Sequence, residues 1–149
     1  MTLEDRVNAD IKTAMKERRK DDLRGLRAIK QAILLAQTDG SGKAIDPARE
    51  TQMLQKLVKS RRESLKIYEE QGRDDLAETE RQEIATIQAY LPEPVGEDEL
   101  RRIVGEVIAA TGATSMKDMG RVMGQAQAKL AGRADGKAIS AAVRAQLAG

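Results

Sequence analysis

Apolar residues recur at every third or fourth position through most of the chain, and this spacing limits its fold more than any other feature. Leu3, Val7 and Ile11, for example, are four residues apart, which places them on one face of an α-helix. No window alternates apolar and polar residues as a half-buried strand does. The chain has no Phe or Trp and only two Tyr, so its core must come from aliphatic residues, Met and Ala, which favour helices. The sequence therefore predicts an all-α protein.

Capping and turn residues divide the periodic stretches into seven predicted helices. They span approximately residues 3–18, 23–37, 47–72, 76–91, 96–110, 115–130 and 136–147. The predicted caps are Thr2, Asp21 or Asp22, Asp46, Asp74 or Asp75, Ser115 and Asp135. Pro92 and Pro94 interrupt the chain after the fourth helix, because Pro cannot continue a helix. We therefore predict an N-terminal four-helix domain over residues 1–92 and a C-terminal three-helix domain over residues 93–149.

The chain contains no Cys and no His. Without Cys there are no disulfides, thiolate nucleophiles or Cys-ligated metals, and without His the commonest general base and metal ligand are missing. The fourth predicted helix carries three closely spaced carboxylates, at Glu78, Glu80 and Glu83. Helical di-iron sites, however, combine Glu with His. No Ser lies in a recognisable nucleophile motif. We predict no catalytic residue, no metal site and no cofactor.

The first ten residues, MTLEDRVNAD, include acids and no apolar run, unlike a secretory signal or an organelle transit segment. No stretch approaches the roughly 20 apolar residues that a membrane-spanning helix needs. The sequence therefore predicts a soluble, cytoplasmic protein with no membrane partner.

Basic residues concentrate towards the C-terminus. Residues 93–114 contain five acidic and two basic residues, whereas residues 115–149 contain six basic and two acidic residues. Five of the basic residues step by four or eight positions along the sixth helix and across the turn after it: Lys117, Arg121, Lys129, Arg133 and Lys137. Earlier basic clusters, at residues 16–20 and 56–66, are interleaved with acids as on ordinary solvent-exposed helices.

Two interpretations of this basic stretch remain open. Gly120 and Gly124 lie one helical turn apart and lack side-chain bulk, so another backbone can approach closely. On the structural interpretation the domain is tightly packed, its basic residues are merely solvated, and the sixth helix buries Met116, Met119, Met123, Ala126 and Leu130. On the functional interpretation the basic residues bind phosphates without reading bases. Because no aromatic residue follows Tyr90, a structured RNA recognised by shape fits better than stacked single-stranded bases.

Residues 119–147, MGRVMGQAQAKLAGRADGKAISAAVRAQL, closely resemble the C-terminal signature shared by the YqeY-like family and the tail of GatB. GatB is the B subunit of the glutamine-dependent transfer-RNA amidotransferases. Residues 61–100 resemble a second pattern of the YqeY-like family, with an Arg-x-Asp-Leu segment starting at Arg73 and a Tyr-Leu-Pro segment starting at Tyr90. The resemblance covers nearly the whole chain.

The resemblance implies a two-part helical fold and an association with transfer RNA, since the similar tail of GatB contacts the body of the transfer RNA. It implies fold-defining positions at Gly120, Gly124, Gly132, Asp135 and Gly136. It makes Lys117, Arg121, Lys129, Arg133 and Lys137 candidate RNA contacts. The implied partners are transfer RNA and an aminoacyl-tRNA synthetase or amidotransferase component.

Three hypotheses for the function remain. The first is a transfer-RNA-associated protein that is not catalytic by itself. The second is an enzyme or accessory subunit, because family descriptions attach carbon-nitrogen ligase activity with glutamine as amido-N-donor. Against it, the likeness to the amidotransferase is to the tail of GatB alone. The resemblance places the serine-serine-lysine glutaminase site in a separate subunit and the ATP- and magnesium-binding region in the larger domain of GatB, and this sequence contains neither. The third is a protein-interaction scaffold with an exposed apolar groove between the helical units.

Overall fold

The structure is a computed structural model that describes residues 1–148 of the chain. These residues form seven α-helices and one short 3-10 turn, and no strand occurs among them. The helices are α1 Leu3–Lys16, α2 Lys20–Gln37, α3 Pro47–Glu70, α4 Asp74–Gln88, α5 Glu97–Thr111, α6 Met119–Leu130 and α7 Gly136–Ala148, with the 3-10 turn at Met116–Asp118. The predicted all-α fold is confirmed.

Three of the predicted caps begin their helices. At α1, the Asp5 amide donates to the Thr2 hydroxyl and the Thr2 amide donates to the Asp5 carboxylate, both at 3.1 Å. Asp46 accepts a hydrogen bond of 2.8 Å from a backbone amide in the first turn of α3, where Pro47 occupies the first position. Asp135 accepts one of 2.7 Å from a backbone amide in the first turn of α7. These short polar side chains satisfy amides that the helix itself leaves unpaired.

The predicted caps of α2 and α4 are wrong. Arg19 and Arg73 occupy the capping positions, and neither makes a side-chain capping bond. The acidic pairs at 21–22 and 74–75 lie inside the first turn instead, where the helix dipole favours negative charge. Ser115 accepts a hydrogen bond of 3.3 Å from an amide of the 3-10 turn, so it begins that turn rather than α6 itself.

Helices α1 to α4 form one compact unit, residues 1–91. Its buried hydrophobic side chains are all aliphatic or Ala: Leu3, Val7, Ala14, Leu23, Leu26, Ile29, Ile33, Leu54, Val58, Ala77 and Ile87. Helix α2 is central, because it packs against each of the other three helices. Tyr90, at the end of α4, donates its hydroxyl to Asp10 on α1, and the Arg6 guanidinium lies 5.1 Å from the ring centroid. Tyr90, the Tyr of the Tyr-Leu-Pro segment, therefore links the C-terminal end of α4 to α1.

The closest approach within this unit lies where α2 crosses α4. A Cβ at Gly25 would lie 2.7 Å from the Cβ of Thr86. That distance is too short for two carbon atoms, and the Thr86 Cβ is fixed to its helix backbone. Gly25 therefore sets how closely α2 and α4 pack.

Helices α5 to α7 form the second compact unit, which begins at Pro92. Its core is Ile103, Val104, Val107, Val122, Ala126, Leu130, Ile139 and Val143. On α6 the predicted stripe is partly correct: Ala126 and Leu130 are buried, and Met119 and Met123 pack at the edge. Met116 is 45% exposed, whereas Val122 is fully buried and was not predicted. The reason is the 3-10 turn, which changes the helical phase before α6 begins.

Gly120 and Gly124 do not serve the close packing that their spacing predicts. Both lie on the exposed side of α6, and an added Cβ at either would meet no atom of residues 1–148 within 4 Å apart from its chain neighbours and the nearby backbone of α6 itself. The prediction that they admit another backbone of the same domain is therefore wrong.

Across residues 1–148, no helix combines the length and the apolar character needed to cross a membrane.

The two glycine environments predict opposite effects of adding one methyl group. Gly25→Ala should destabilise the first unit by about 1–3 kcal/mol, because α2 and α4 must separate. Gly124→Ala, the matched control, should stabilise the second unit by about 0.5–1 kcal/mol, because Ala favours a helix and meets open space. Hydrogen exchange resolved by peptide measures both effects separately. Unchanged protection of α2 in Gly25→Ala would contradict the close approach.

Candidate nucleic-acid interface

The predicted basic residues lie along α6, the turn after it and the start of α7. Lys117 is in the 3-10 turn, Arg121 and Lys129 are on the exposed face of α6, and Lys137 is in the first turn of α7. Arg121 and Lys129 are eight residues apart, hence about 12 Å along the helix axis. Arg133 lies in the turn between α6 and α7 and is the one member of the predicted set that is partly buried.

Ion pairs divide this set into two groups. Arg121 lies 3.2 Å from the carboxylate of Asp118, one turn earlier, and Arg133 is paired with Glu99. Lys117, Lys129 and Lys137 form no ion pair with any of residues 1–148. Within the described part of the chain, these three ammonium groups are therefore the members of the predicted set that no carboxylate pairs with.

A further residue, Arg144, was not among the predicted contacts. It is exposed on α7 and, within the described part of the chain, has no ion-pair partner. It comes seven residues, or two helical turns, after Lys137, so both project from the same face about 10 Å apart. That spacing was the signal in the sequence that could have identified it. We refer to Lys117, Lys129, Lys137 and Arg144 as the unpaired cations.

Arg133 is held by several contacts at once. Its Nη1 and Nη2 atoms donate to the two carboxylate oxygens of Glu99 at 3.2 and 3.0 Å. Its Nε donates to the backbone carbonyl of Glu93 at 3.2 Å, and its own carbonyl accepts from the Val95 amide at 2.8 Å. The two side chains of the ion pair are 35% and 38% exposed, so the pair lies at the surface of the unit. Their charged ends face each other. A bidentate pair of this kind fixes direction as well as distance.

The turn between α6 and α7 contains two left-handed residues and a capping Asp. Ala131 and Gly132 have φ angles of 44° and 87°, in the left-handed region that ends a helix. Asp135 then caps α7, and Gly136 is the first residue of that helix. Two helices are thus joined by a short turn with Arg133 in its middle.

A strip of small residues lies beside the basic residues of α6. Gly120, Gly124 and Ala128 are exposed and succeed one another at four-residue intervals. Arg121 and Lys129 are the immediate neighbours in the same direction around the helix. The backbone of α6 is therefore accessible to a large partner next to these cations.

The carboxylates of α4 form no metal site. Glu83 pairs with Arg61 at 3.3 Å. Burial, and to a lesser extent the nearby Glu83 carboxylate, raises the pKa of Glu80, whose Oε2 atom is buried and accepts no hydrogen bond from the described residues. Within residues 1–148, no three residues of the Asp and Glu type group together as a metal would require.

These observations define a class: an all-α protein of two helical units, the second of which exposes unpaired cations. The chain belongs to the YqeY-like family, whose sequence profile matches residues 4–147. This confirms the family resemblance.

Two fungal relatives are named Altered inheritance of mitochondria protein 41, mitochondrial. The protein of Pyrenophora tritici-repentis is 30% identical over 131 residues, which are 87% of this chain and 71% of the relative. The protein of Meyerozyma guilliermondii is 32% identical over 125 residues, which are 80% of this chain and 65% of the relative. The chain therefore spans about two thirds of the length of these relatives.

A third relative is an amidotransferase component. The E subunit of the glutamyl-tRNA(Gln) amidotransferase of Thermococcus gammatolerans is 46% identical over 57 residues, which are 36% of this chain and 9% of that relative. The predicted relation to an amidotransferase component is confirmed, although for a short part of a much longer protein.

The pairing of Arg133 with Glu99 predicts a measurable titration. The hydrogen bonds from Arg133 are the main reason that the pKa of Glu99 lies below its usual value. The pair therefore persists at neutral pH and is lost only as the pH falls through this lowered pKa. In Arg133→Gln the pKa of Glu99 should rise towards that of an ordinary Glu, as followed by carboxyl-carbon NMR. Equal pKa values in both proteins would show that the pair does not form in solution.

Proposed function

We propose that this protein is a transfer-RNA-associated module that is not catalytic by itself, and that its second unit contacts the RNA. The observation that carries the proposal is the set of unpaired cations: Lys117, Lys129, Lys137 and Arg144. Exposed ammonium and guanidinium groups that no carboxylate pairs with bind phosphates, because their binding releases the counterions that surround nucleic acids.

The relationship to an amidotransferase component supports transfer RNA as the partner. The name of the Thermococcus gammatolerans relative includes Glutamyl-tRNA(Gln), and its identity to this chain is 46% over 57 residues. The resemblance of residues 119–147 to the tail of GatB points the same way, since that tail contacts transfer RNA while chemistry occurs elsewhere.

The proposed contact is with the sugar-phosphate backbone of a folded RNA. No aromatic residue occurs after Tyr90, so the second unit has no ring on which an unpaired base can stack. Ammonium groups bind phosphates but do not distinguish bases. Because Gly120 and Gly124 carry no side chain, a broad RNA surface could come close to the backbone of α6 there, next to Arg121 and Lys129.

The first prediction of this proposal concerns salt. Lys129→Gln combined with Lys137→Gln should weaken transfer-RNA binding by about tenfold or more at low salt, and should lower the salt-dependence slope by about two. Fluorescence anisotropy with the full chain at several salt concentrations measures both quantities. The control is Lys56→Gln with Lys59→Gln, which removes the same charge from exposed positions of α3. Equal effects of the two double variants would contradict a specific surface on the second unit.

The division at residues 92 and 93 is part of the proposal, with residues 1–92 and 93–149 as separate domains. Each segment produced alone should unfold cooperatively and be helical by circular dichroism. If residues 93–149 fold and do not bind transfer RNA at low salt, the proposed location of the contact is wrong.

A second candidate function is amide transfer, as an enzyme with carbon-nitrogen ligase activity or as an accessory subunit. The relation to an amidotransferase component favours it, and an amidotransferase component or an aminoacyl-tRNA synthetase is then the expected partner. The purified chain, given glutamine, ATP and misacylated transfer RNA, should form no amide under our proposal. Turnover that persists through further purification would establish the enzyme instead.

A third candidate function is a protein-interaction scaffold, which the exposed leucines of α2 favour. Leu34 is 46% exposed and Leu35 is 63% exposed, beside Arg27 and Lys30. Partners that remain bound after nuclease treatment and are lost in Leu34→Asp would support this function, since RNA-mediated partners disappear on digestion.

The cytoplasm is the location that we propose. The two fungal relatives carry the word mitochondrial in their names, so a fluorescent fusion compared with a mitochondrial marker is the appropriate test.

A further inference from the structure

Arg133 occupies the point at which three parts of the second unit meet. Its side chain donates to Glu99, in the first turn of α5, and to the carbonyl of Glu93, in the segment that leads into α5. Its backbone carbonyl accepts from Val95 in the same segment. One residue of the turn between α6 and α7 therefore holds both the entry segment and the start of α5.

We propose that Arg133 is a positioning residue of the RNA-binding surface and does not itself contact RNA. The inference rests on the proposed function and reverses the role that the sequence predicts for this residue. Arg133 acts through Glu99 and Glu93, which hold the turn between α6 and α7 in one orientation.

The position of Arg133 explains why this orientation matters. Lys129 lies four residues before it, in the last turn of α6, and Lys137 lies four residues after it, in the first turn of α7. The turn between them includes left-handed residues, and its geometry sets the distance and direction between the two ammonium groups. A phosphate backbone that contacts both lysines binds best when the distance and direction between the two ammonium groups are fixed before binding. Otherwise the free energy of ordering the turn is subtracted from the free energy of association.

The contacts of Arg133 also make it a poor ligand for phosphate. Its Nε, Nη1 and Nη2 atoms all donate to oxygen atoms of the protein, and Glu99 neutralises its charge. A phosphate would have to displace a bidentate carboxylate, whereas Lys129 and Lys137 present no such competitor among residues 1–148.

Simple charge attraction and the positioning role of Arg133 predict opposite effects on RNA binding when a negative charge is removed. Glu99→Gln takes an acid away from a unit that binds a polyanion, so simple electrostatics predicts tighter binding. The positioning role predicts weaker binding, because the partner of Arg133 is lost. Glu97→Gln is the matched control: Glu97 is an exposed acid two residues away in the same turn, with no ion pair among residues 1–148.

Arg133→Lys separates charge from geometry. Lys keeps the positive charge but cannot form the planar, two-pronged contact with a carboxylate. If Arg133 contacts phosphate as a cation, Arg133→Lys should bind transfer RNA almost as the unchanged protein does. If Arg133 positions the turn, Arg133→Lys should weaken binding as much as Arg133→Gln.

The experiment measures transfer-RNA dissociation constants of the full chain against salt, together with hydrogen exchange at the Val95 amide. Arg133→Gln, Arg133→Lys and Glu99→Gln should each weaken binding by about fivefold or more, leave the salt slope unchanged and speed exchange at Val95. Glu97→Gln should bind equally or more tightly, with unchanged exchange. Lys129→Gln should lower the salt slope by about one without affecting Val95.

Besides near-normal binding by Arg133→Lys, three results would overturn the inference. A slope lowered by about one in Arg133→Gln would make Arg133 a phosphate contact. Tighter binding in Glu99→Gln would show that its charge, and not its pairing, matters. Unchanged binding in both Arg133→Gln and Glu99→Gln would show that the pair has no role in the surface. If the unchanged protein binds no transfer RNA, the proposed function fails with it, and this result is distinct from the other three.

Discussion

Each helix of this chain buries one narrow stripe of aliphatic side chains, and the rest of the structure depends on that constraint. Since no Phe or Trp is present and no aromatic residue follows Tyr90, the core of the second unit has no large ring with which to cover a wider face. In the second unit the buried stripe of α6 is Val122, Ala126 and Leu130. Exposed positions on the other faces of α6 and α7 carry three of the four unpaired cations, Lys129, Lys137 and Arg144, and Lys117 lies in the 3-10 turn before α6. Because each helix buries only a narrow stripe, a basic surface of the second unit stays exposed.

Much of the fold could be predicted from the sequence, because helical periodicity and short polar caps act locally. Thr2, Asp46 and Asp135 were recognisable as caps from neighbouring residues alone. The caps of α2 and α4 were not, since an acid in the first turn and an acid at the capping position look alike in sequence. Met116 was misplaced because the 3-10 turn rotates the residues of α6 relative to an ideal continuous helix.

The candidate site was predictable only in part, for a different reason. Lys129 and Lys137 were identified from their spacing, and the structure leaves them unpaired within residues 1–148. Arg133, by contrast, is paired with Glu99, which is 34 residues away in sequence, so spacing along one helix does not reveal that its charge is neutralised. Gly120 and Gly124 show the same limit: their spacing matches a packing motif, and only the fold reveals that they face solvent. Spacing identifies a face but does not determine what lies against it.

The central claim is that the second unit associates with transfer RNA through unpaired cations. Membership of the YqeY-like family and the relation to an amidotransferase component are compatible with it, and so is a surface without aromatic residues. Crosslinking in cells, followed by sequencing of the recovered RNA, tests the claim most directly. We expect transfer RNA to be enriched with the unchanged protein and to fall towards background when Lys129 and Lys137 are both replaced by Gln. Recovery of transfer RNA at background with the unchanged protein, or equal recovery with both proteins, would contradict it.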